Sequence, residues 1–287
     1  MEVLILNPHG YCLGVNEAIA TALKAKKDHP DKNVYLLGLL VHNEETVDLL
    51  QEHGLIPLDE RKASLLDYLF DMKKGDVVVF SAHGHPDAYT DFARDKGLII
   101  VDATCRYVKE NLDLALSLET PICYVGVEGH LESEAFLANS PEAVFYDVKS
   151  DTCNFLKLKG MKVTPTVITQ TTLSSFEVER AMNNIHEFFP DAKIAKQRCH
   201  STTLRQQAIL DLPEDVDCVI VLGSNRSNNS VKLAEIAASK GKETHLCLTL
   251  EDVKALDLSQ KKRLALSSGA STSNATFDAV LNYLRSL

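Results

Sequence analysis

The chain opens with EVLILNPHGYCLGVNEAIATALKAKK (residues 2–27), in which a strand-like apolar run leads through Cys12 into a helical pattern. The same order of elements occurs twice more, at LIIVDA (98–103) before Cys105 and at AKIAKQ (192–197) before Cys199. The three cysteines divide the chain into almost equal parts. This internal repeat predicts three similar structural modules, each with a cysteine at a strand-to-helix turn.

Each repeat continues with a second strand that ends in a polar segment opening another helix. These polar segments are HNEE (42–45), GHLES (129–133) and SNRSNNS (224–230). Strands that alternate with helices predict an α/β protein with small parallel sheets, here in three modules. We expect the modules at residues 1–96, 97–193 and 194–287. Ligands bind beyond the carboxyl ends of parallel strands, so the cysteines and polar segments would surround one shared cavity. A chance succession of short α/β elements is the alternative.

Composition and charge restrict the class of protein. The net charge of −10 disfavours nucleic acid and anionic membranes as partners. No apolar run is long enough to span a bilayer, and the first residues lack the pattern of a signal peptide. We therefore expect a cytoplasmic protein whose seven cysteines are reduced thiols, metal ligands or core residues rather than disulfides.

Three of the cysteines have a context that suggests metal binding. Cys12, Cys105 and Cys199 each precede a helix in a polar or glycine-containing segment, and no fourth cysteine shares this position. A structural zinc site takes four ligands, commonly in closely spaced pairs, and that spacing is missing here. An iron–sulfur cluster with three cysteine ligands and one open iron fits the pattern. The alternative is that they are buried core thiols, as we expect for the strand residues Cys123, Cys153, Cys218 and Cys247.

The polar residues at the strand ends predict a site for an anion. Helix N-termini present N–H groups and a positive dipole end that suit phosphate oxygens. The candidate donors to a diphosphate are His42, His83, His130, Ser227, Asn229 and Ser271. Glu132, two residues after His130, is the candidate proton donor, although a solvated helix-start glutamate is the alternative. Thr171 and Thr172 are either further site residues or ordinary helix caps.

The motifs together resemble those of the 4-hydroxy-3-methylbut-2-enyl diphosphate reductases, iron–sulfur enzymes that end the non-mevalonate isoprenoid pathway. The motifs follow the family's order and spacing: GYCLGVNEAI, LVHNEETV, FSAHGH, VDATCRYV, GHLE, TQTTLS, CHSTTLRQQA, GSNRSNNSVKLAEIA and SSGAS. The resemblance implies a trefoil of three α/β domains around a [4Fe–4S] cluster. It also implies an allylic diphosphate substrate, reductive removal of its hydroxyl group, and ferredoxin or flavodoxin as electron donor.

The resemblance further implies a role for each matching residue. Cys12, Cys105 and Cys199 would hold the cluster, Glu132 would supply a proton, and Thr171 would hydrogen-bond the substrate and the acid. The residues that would bind the diphosphate are His42, His83, His130, Thr172, Ser227, Asn228, Asn229 and Ser271. Three positions depart from the family pattern, since His9 replaces arginine, Leu131 replaces proline and Asn228 stands where serine is common.

Two other functions are compatible with these residues. A diverged member of the family could keep the cluster as a redox or binding protein without turnover. A metal-independent α/β transferase for phosphorylated metabolites could instead bury the three cysteines in its core. Iron and sulfide analysis separates the transferase from the other two, and substrate turnover separates the reductase from the binding protein.

Overall fold

The structure is a computed structural model that describes residues 1–160, 163–195 and 199–287. The chain begins with β1 (Glu2–Ile5) and α1 (Leu13–Asp28). The next elements are β2 (Val34–Leu37), α2 (Glu44–Glu52), β3 (Ile56–Leu58), α3 (Leu65–Asp71), β4 (Val77–Phe80), α4 (Asp87–Asp95) and β5 (Ile99–Asp102). Four of these strands form a parallel sheet in the order β3-β2-β4-β5. Every residue of β4 is buried, as expected for an apolar strand covered on both faces.

The second sheet contains five strands. The elements of this part are α5 (Arg106–Ser117), β6 (Ile122–Gly126), α6 (Leu131–Asn139), β7 (Val144–Asp147), β8 (Thr152–Cys153), α7 (Phe155–Gly160), β9 (Thr166–Thr169), α8 (Ser175–His186) and β10 (Lys193–Ile194). The strand order is β10-β9-β6-β7-β8. All pairs are parallel except β7 with β8, which is a short antiparallel pair at the edge.

The third sheet contains four parallel strands. The remaining elements are α9 (His200–Leu210), β11 (Cys218–Leu222), α10 (Asn228–Ser239), β12 (Glu243–Cys247), α11 (Leu250–Lys254), β13 (Arg263–Ser268) and α12 (Asn274–Ser286). The strand order is β1-β13-β11-β12, so the N-terminal strand lies at one edge of this sheet. The predicted fold class, α/β with three small parallel sheets, is confirmed. Residues 196 and 197 of the third predicted cysteine-preceding strand lie outside the described residues.

The strands that precede the three cysteines share one pairing rule. β1 pairs with β13, β5 pairs with β4, and β10 pairs with β9. β5 and β10 therefore belong to the sheet formed by the preceding part of the chain. β1, which has no strand before it, pairs with the last strand of the chain instead. The modules at 1–96, 97–193 and 194–287 stay a prediction. In each of the three sheets, the strand that precedes a cysteine lies at an edge.

The chain divides into two compact units. The first unit comprises Met1–Asn16, Val41–Leu49 and His200–Leu287, and it contains the third sheet with β1. The second unit comprises Glu17–Leu40 and Leu50–Cys199, and it contains the other two sheets. Within the described ranges, no helix combines the length and apolar character needed to cross a bilayer.

Candidate active site

Glu132 is a buried carboxylate held by Thr171. It is the second residue of α6, it is 3% exposed, and its backbone N–H donates to Nδ1 of the helix-capping His130 at 3.2 Å. Thr171 follows the end of β9 and donates twice to this carboxylate. Its backbone N–H reaches Oε1 at 2.8 Å and its hydroxyl reaches Oε2 at 2.8 Å. The carboxylate is thus fixed at the carboxyl end of the second sheet.

The environment of Glu132 favours a carboxyl group that keeps its proton near neutral pH. Burial raises the pKa of Glu132 from 4.5 to about 7, and the two hydrogen bonds from Thr171 oppose this rise. A general acid works best when its pKa lies close to the operating pH. The alternative of a solvated helix-start glutamate does not hold, because the side chain is buried.

Gln170 connects the end of β9 to the start of α6. Its Oε1 accepts from the backbone N–H of Val127 at 2.9 Å and from the hydroxyl of Ser133 at 3.2 Å. Its Nε2 donates to the hydroxyl of Thr172 at 2.9 Å. The side chain is 1% exposed, so these contacts fix the residues on either side of the Glu132–Thr171 pair. Gln170 was not among the predicted site residues, and its only signal in the sequence was its place in TQTTLS.

The second unit also brings His83 and His130 together. Their ring centroids lie 5.7 Å apart at an interplanar angle of 83°, and the hydroxyl of Ser81 lies 3.3 Å from Nδ1 of His83. Gly84 has a φ of +85°, and a Cβ built on it would lie 3.1 Å from Val108 of α5 and 3.5 Å from Ala135 of α6. The His83 segment therefore passes between the first turns of these two helices.

Cys105 is the residue before α5 and lies against the His83 segment. Its backbone N–H donates to the carbonyl of Ala82 at 3.0 Å, and its own carbonyl accepts from Val108 and Lys109 in the first turn of α5. Its thiol is half-buried. The second unit thus places one predicted cluster ligand beside a predicted diphosphate-binding histidine.

In the first unit, Cys12 lies on a loop that is held by several hydrogen bonds. The backbone N–H of Cys12 donates to the carbonyl of Ala270 at 3.0 Å, and its Sγ accepts from the backbone N–H of Val15 at 3.4 Å. The buried guanidinium of Arg205 donates to the carbonyls of Pro8 and Gly10, each at 2.7 Å. Arg205 was not among the predicted site residues.

Gly10 closes this loop. Its backbone N–H donates to the hydroxyl of Ser268 at 2.8 Å, and its φ is +70°. A Cβ at this position would lie 1.7 Å from Oδ1 of Asn274, so both the backbone conformation and the available space require glycine. His9, one of the departures from the family pattern, stacks on Phe277 at a centroid distance of 4.0 Å.

The segments that contain His42 and Ser271 also meet in the first unit. The hydroxyl of Thr46 donates to the carbonyl of Ser271 at 3.3 Å. The backbone N–H of Thr46 donates to Oδ1 of the buried Asn43, which follows His42. Because Cys12 bonds to Ala270, one loop after β13 is in contact with both the cysteine segment and the His42 segment.

The first turn of α10 lies close to the ends of two strands. Ser227 caps this helix by accepting from the N–H of Ser230 at 3.4 Å. A Cβ on Gly223 or Gly269 would lie 2.3 or 2.0 Å from the hydroxyl of Ser230, so the helix approaches both chain segments as closely as only glycine permits. Asn228 and Asn229 begin the helix at this point.

Two predicted substrate-binding residues have buried polar atoms available. Within the described part of the chain, Oδ1 and Nδ2 of Asn229 and Oγ of Ser271 have no hydrogen-bond partner. A buried polar group without a partner costs about 1–3 kcal/mol, and such groups commonly mark a place where a ligand binds. Their donors suit the oxygens of an anion such as a diphosphate.

The three predicted cluster ligands differ from the other cysteines in burial. None of the seven cysteines, all of which lie in the described part of the chain, forms a disulfide. Cys12, Cys105 and Cys199 are half-buried and directly precede α1, α5 and α9, whereas Cys123, Cys218 and Cys247 are buried in strands and Cys153 is half-buried. Three half-buried cysteines at equivalent positions fit a cluster with three protein ligands. Cys12 belongs to the first unit and the other two to the second, and their joint ligation stays a prediction.

Leu131, where the family pattern has proline, is the first residue of α6. It contacts the Gly38 region, since its Cδ1 lies 3.6 Å from the position of a Cβ on that glycine. With leucine at this position, α6 starts directly after the capping His130. Both carboxylate oxygens of Glu132 accept a hydrogen bond from Thr171.

The chain is similar to known proteins over almost its whole length. The family model described as LytB protein matches residues 3–285. The 4-hydroxy-3-methylbut-2-enyl diphosphate reductase of Symbiobacterium thermophilum is 34% identical over 291 residues, which cover 99% of this chain and 97% of that protein. The enzyme of the same description from Malacoplasma penetrans is 32% identical over 293 residues, with 99% and 97% coverage.

Solved structures agree with these relatives. The E-1-hydroxy-2-methyl-but-2-enyl-4-diphosphate reductase from Plasmodium falciparum superimposes with a TM-score of 0.84 at 26% identity, covering 99% of this chain and 87% of that one. A structure described as (E)-4-hydroxy-3-methyl-but-2-enyl diphosphate reductase, the terminal enzyme of the non-mevalonate pathway, gives 0.71 at 25% identity and full coverage of both chains. The chain belongs to the LytB family. This is the family of 4-hydroxy-3-methylbut-2-enyl diphosphate reductases that the sequence motifs predicted.

Proposed function

We propose that this chain reduces 4-hydroxy-3-methylbut-2-enyl diphosphate to isopentenyl and dimethylallyl diphosphate. The reaction consumes two electrons and two protons, breaks the allylic carbon–oxygen bond and releases one water. The observation that carries the proposal is the buried Glu132, whose pKa is raised to about 7 and whose two oxygens are fixed by Thr171. Such a carboxyl can give a proton to a departing hydroxyl oxygen near neutral pH.

Each unit holds residues that would bind the substrate's diphosphate, and these residues lie at the ends of strands. In the first unit, Asn229 and Ser271 offer buried polar atoms, and Ser227 and Asn228 lie at the start of α10, where the helix dipole favours negative charge. The segment of His42 adjoins Ser271 through Thr46. In the second unit, His83 and His130 form a pair of imidazoles next to Glu132. Nδ1 of His130 accepts from the backbone N–H of Glu132, so its Nε2–H is the donor available to a diphosphate oxygen.

Cys12, Cys105 and Cys199 would hold a [4Fe–4S] cluster with three protein ligands. When bound, this group would pass on the two electrons one at a time and would supply a Lewis-acidic iron. The chain's own residues position and protonate the substrate. The hydroxyl of Thr171, 2.8 Å from Oε2 of Glu132, can relay the proton between this carboxyl oxygen and the substrate hydroxyl. Buried surroundings keep bulk water away from the acid.

The electrons come from a separate one-electron carrier, for which we propose a ferredoxin or flavodoxin in the cytoplasm. The net charge of −10 does not preclude such a partner, because docking depends on local rather than total charge. We propose no nucleic acid or membrane partner.

The test combines iron and sulfide quantification with turnover on one anaerobic preparation. We expect a coloured protein that forms both products with dithionite and a viologen dye. Cys105→Ser should lose colour and turnover, while Cys247→Ala, at a buried strand position, should keep both. Full turnover by a protein without iron would contradict the proposal. Substrate binding to an iron-containing protein without product would instead support the diverged binding protein.

A further inference from the structure

A second group of metal-ligating side chains lies in the third sheet, away from the candidate active site. Cys218, Glu243 and His245 each offer one ligand atom, and these three atoms all lie within 4.8 Å of one another. The strand register explains their proximity. Cys218 of β11 pairs directly with Glu243 of β12, and His245 follows two residues later on the same face of the strand.

The group lies at the opposite end of β11 from the anion-binding residues. Cys218 is the first residue of this strand and Glu243 is the first residue of β12, whereas the SNRSNNS segment follows the last residue of β11. All three side chains belong to the first unit. The group therefore does not depend on the proposed cluster or on the substrate site.

The carboxylate of Glu243 is already oriented for a ligand. Its Oε1 lies 3.0 Å from Nε2 of His245, and its Oε2 is paired with Nζ of Lys261 at 2.5 Å. Oε1 of Glu243 thus faces the imidazole, while the ammonium group of Lys261 holds Oε2. Metal-ligating carboxylates and imidazoles are commonly fixed by such an outer partner, which sets their direction and basicity.

We propose that Cys218, Glu243 and His245 form a binding site for a divalent metal ion of the Zn²⁺ class, with Lys261 orienting the carboxylate. Sulfur, imidazole nitrogen and carboxylate oxygen are the three protein ligand types of zinc, and a fourth position remains for water. The metal takes Sγ of Cys218, Nε2 of His245 and Oε1 of Glu243. Binding releases the proton of the Cys218 thiol to solvent, the proton on Nε2 of His245 that faces Glu243 is exchanged through solvent for one on Nδ1, and no electron is transferred.

Cys218 belongs to a buried apolar cluster on one face of the third sheet, together with Val253 of α11 and Leu258. Burial raises the pKa of the Cys218 thiol to about 11, so a metal must compete with the proton. His245 and Glu243 lie on the more exposed side, and 31% and 45% of their side chains are accessible. The metal therefore enters from the solvent side and links the first residues of β11 and β12.

The experiment titrates the anaerobic holoenzyme with Co²⁺ as a spectroscopic substitute and with Zn²⁺ in thermal unfolding. We expect one Co²⁺ per chain with a thiolate-to-cobalt charge-transfer band, and a Tm that rises with Zn²⁺ concentration, because the ion binds the folded state. Cys218→Ala should lose the band. Cys247→Ala, a buried cysteine on β12 outside the group, should keep it and corrects for cobalt bound elsewhere.

Cys218→Ala changes a buried side chain and could lower stability, so a second variant is needed. His245→Gln changes a half-exposed side chain and tests the same site. We expect it to weaken binding by at least about tenfold, and Lys261→Met to weaken binding by about 10- to 100-fold through loss of carboxylate orientation. A wild-type protein without the band, or a band that Cys218→Ala and His245→Gln both retain, would overturn the proposal. The metal site is tested by cobalt absorption and Tm, and the proposed function is tested by turnover. Each proposal can therefore be contradicted without affecting the other.

Discussion

Thr171 donates two hydrogen bonds to Glu132, one from its backbone N–H and one from its hydroxyl, and each is 2.8 Å long. The two donors stabilise the ionised carboxylate, while burial stabilises the neutral acid. Burial is the larger effect, and the pKa of Glu132 settles at about 7. The pair therefore holds a group that exchanges its proton in the pH range where a cytoplasmic enzyme would act.

Replacing Glu132 by glutamine should remove the proton donor while preserving the shape of the side chain. We expect kcat to fall by about 10²- to 10⁴-fold, the usual contribution of a general acid, with a small change in KM. Steady-state kinetics with a viologen dye measures this. Glu134→Gln, an exposed position on the same helix, is the matched control and should retain wild-type kcat. Equal losses in both variants would show that the helix, and not the acid, is responsible.

Glu132 should also make stability depend on pH. The unfolded chain has the ordinary pKa of 4.5 and the folded protein has about 7, so the folded state binds the proton more tightly between these values. The stability contributed by this group is fully present below pH 4.5 and is lost as pH rises through about 7. We expect Glu132→Gln to abolish this loss, which amounts to up to about 3 kcal/mol. Denaturant unfolding from pH 4.5 to 8 measures it, and an unchanged slope in the variant would contradict the assignment.

Thr171→Val should shift the pH profile of turnover. Loss of the hydroxyl removes one hydrogen bond that lowers the pKa of Glu132, while the backbone N–H remains. The carboxyl should then keep its proton to higher pH, so the alkaline limb of kcat should move upward. A merely structural role for Thr171 would lower kcat at every pH without moving this limb.

The sequence predicted the sheets well because their strands are continuous apolar runs, such as VVVF at 77–80, bounded by helical patterns. It could not predict that β1 pairs with β13 or that β5 pairs with β4. The sequence of a short apolar strand does not indicate which strand it pairs with, because the pairing is set by packing between distant parts of the chain.

The candidate site was predictable where its residues end strands and open helices, as His130, Glu132 and Thr171 do. Arg205 was not predictable in this way. A charged residue within the pattern TTLRQQAILDL is typical of a solvent-facing position, and only the tertiary fold places its guanidinium against the carbonyls of Pro8 and Gly10. Gln170 was missed for the same reason, since its partners Val127 and Ser133 lie on other elements.

Ser271→Ala should weaken substrate binding without weakening the fold. Among the described residues, Oγ of Ser271 has no hydrogen-bond partner, so its removal relieves a buried polar atom in the free protein. A hydrogen bond to a charged diphosphate contributes about 1.5–3 kcal/mol, and we expect KM to rise by about 10- to 100-fold with an unchanged Tm. Ser268→Ala is the matched control. Its hydroxyl accepts from Gly10, so this variant should lower stability. A lower Tm in Ser271→Ala would mean that its hydroxyl has a structural role instead.

Arg205→Met should loosen the loop that carries Cys12. Methionine keeps much of the buried apolar volume but removes the donors to the carbonyls of Pro8 and Gly10. Each charged hydrogen bond contributes about 1.5–3 kcal/mol, so we expect unfolding free energy to fall by about 3 kcal/mol or more. Iron content per chain should fall as well, because Cys12 lies two residues beyond Gly10 and depends on the same loop. Arg180→Met is the control, since its side chain is 51% exposed and should contribute about 1 kcal/mol or less. If Arg205→Met lowers Tm but retains the wild-type iron content, the guanidinium stabilises the fold without positioning Cys12.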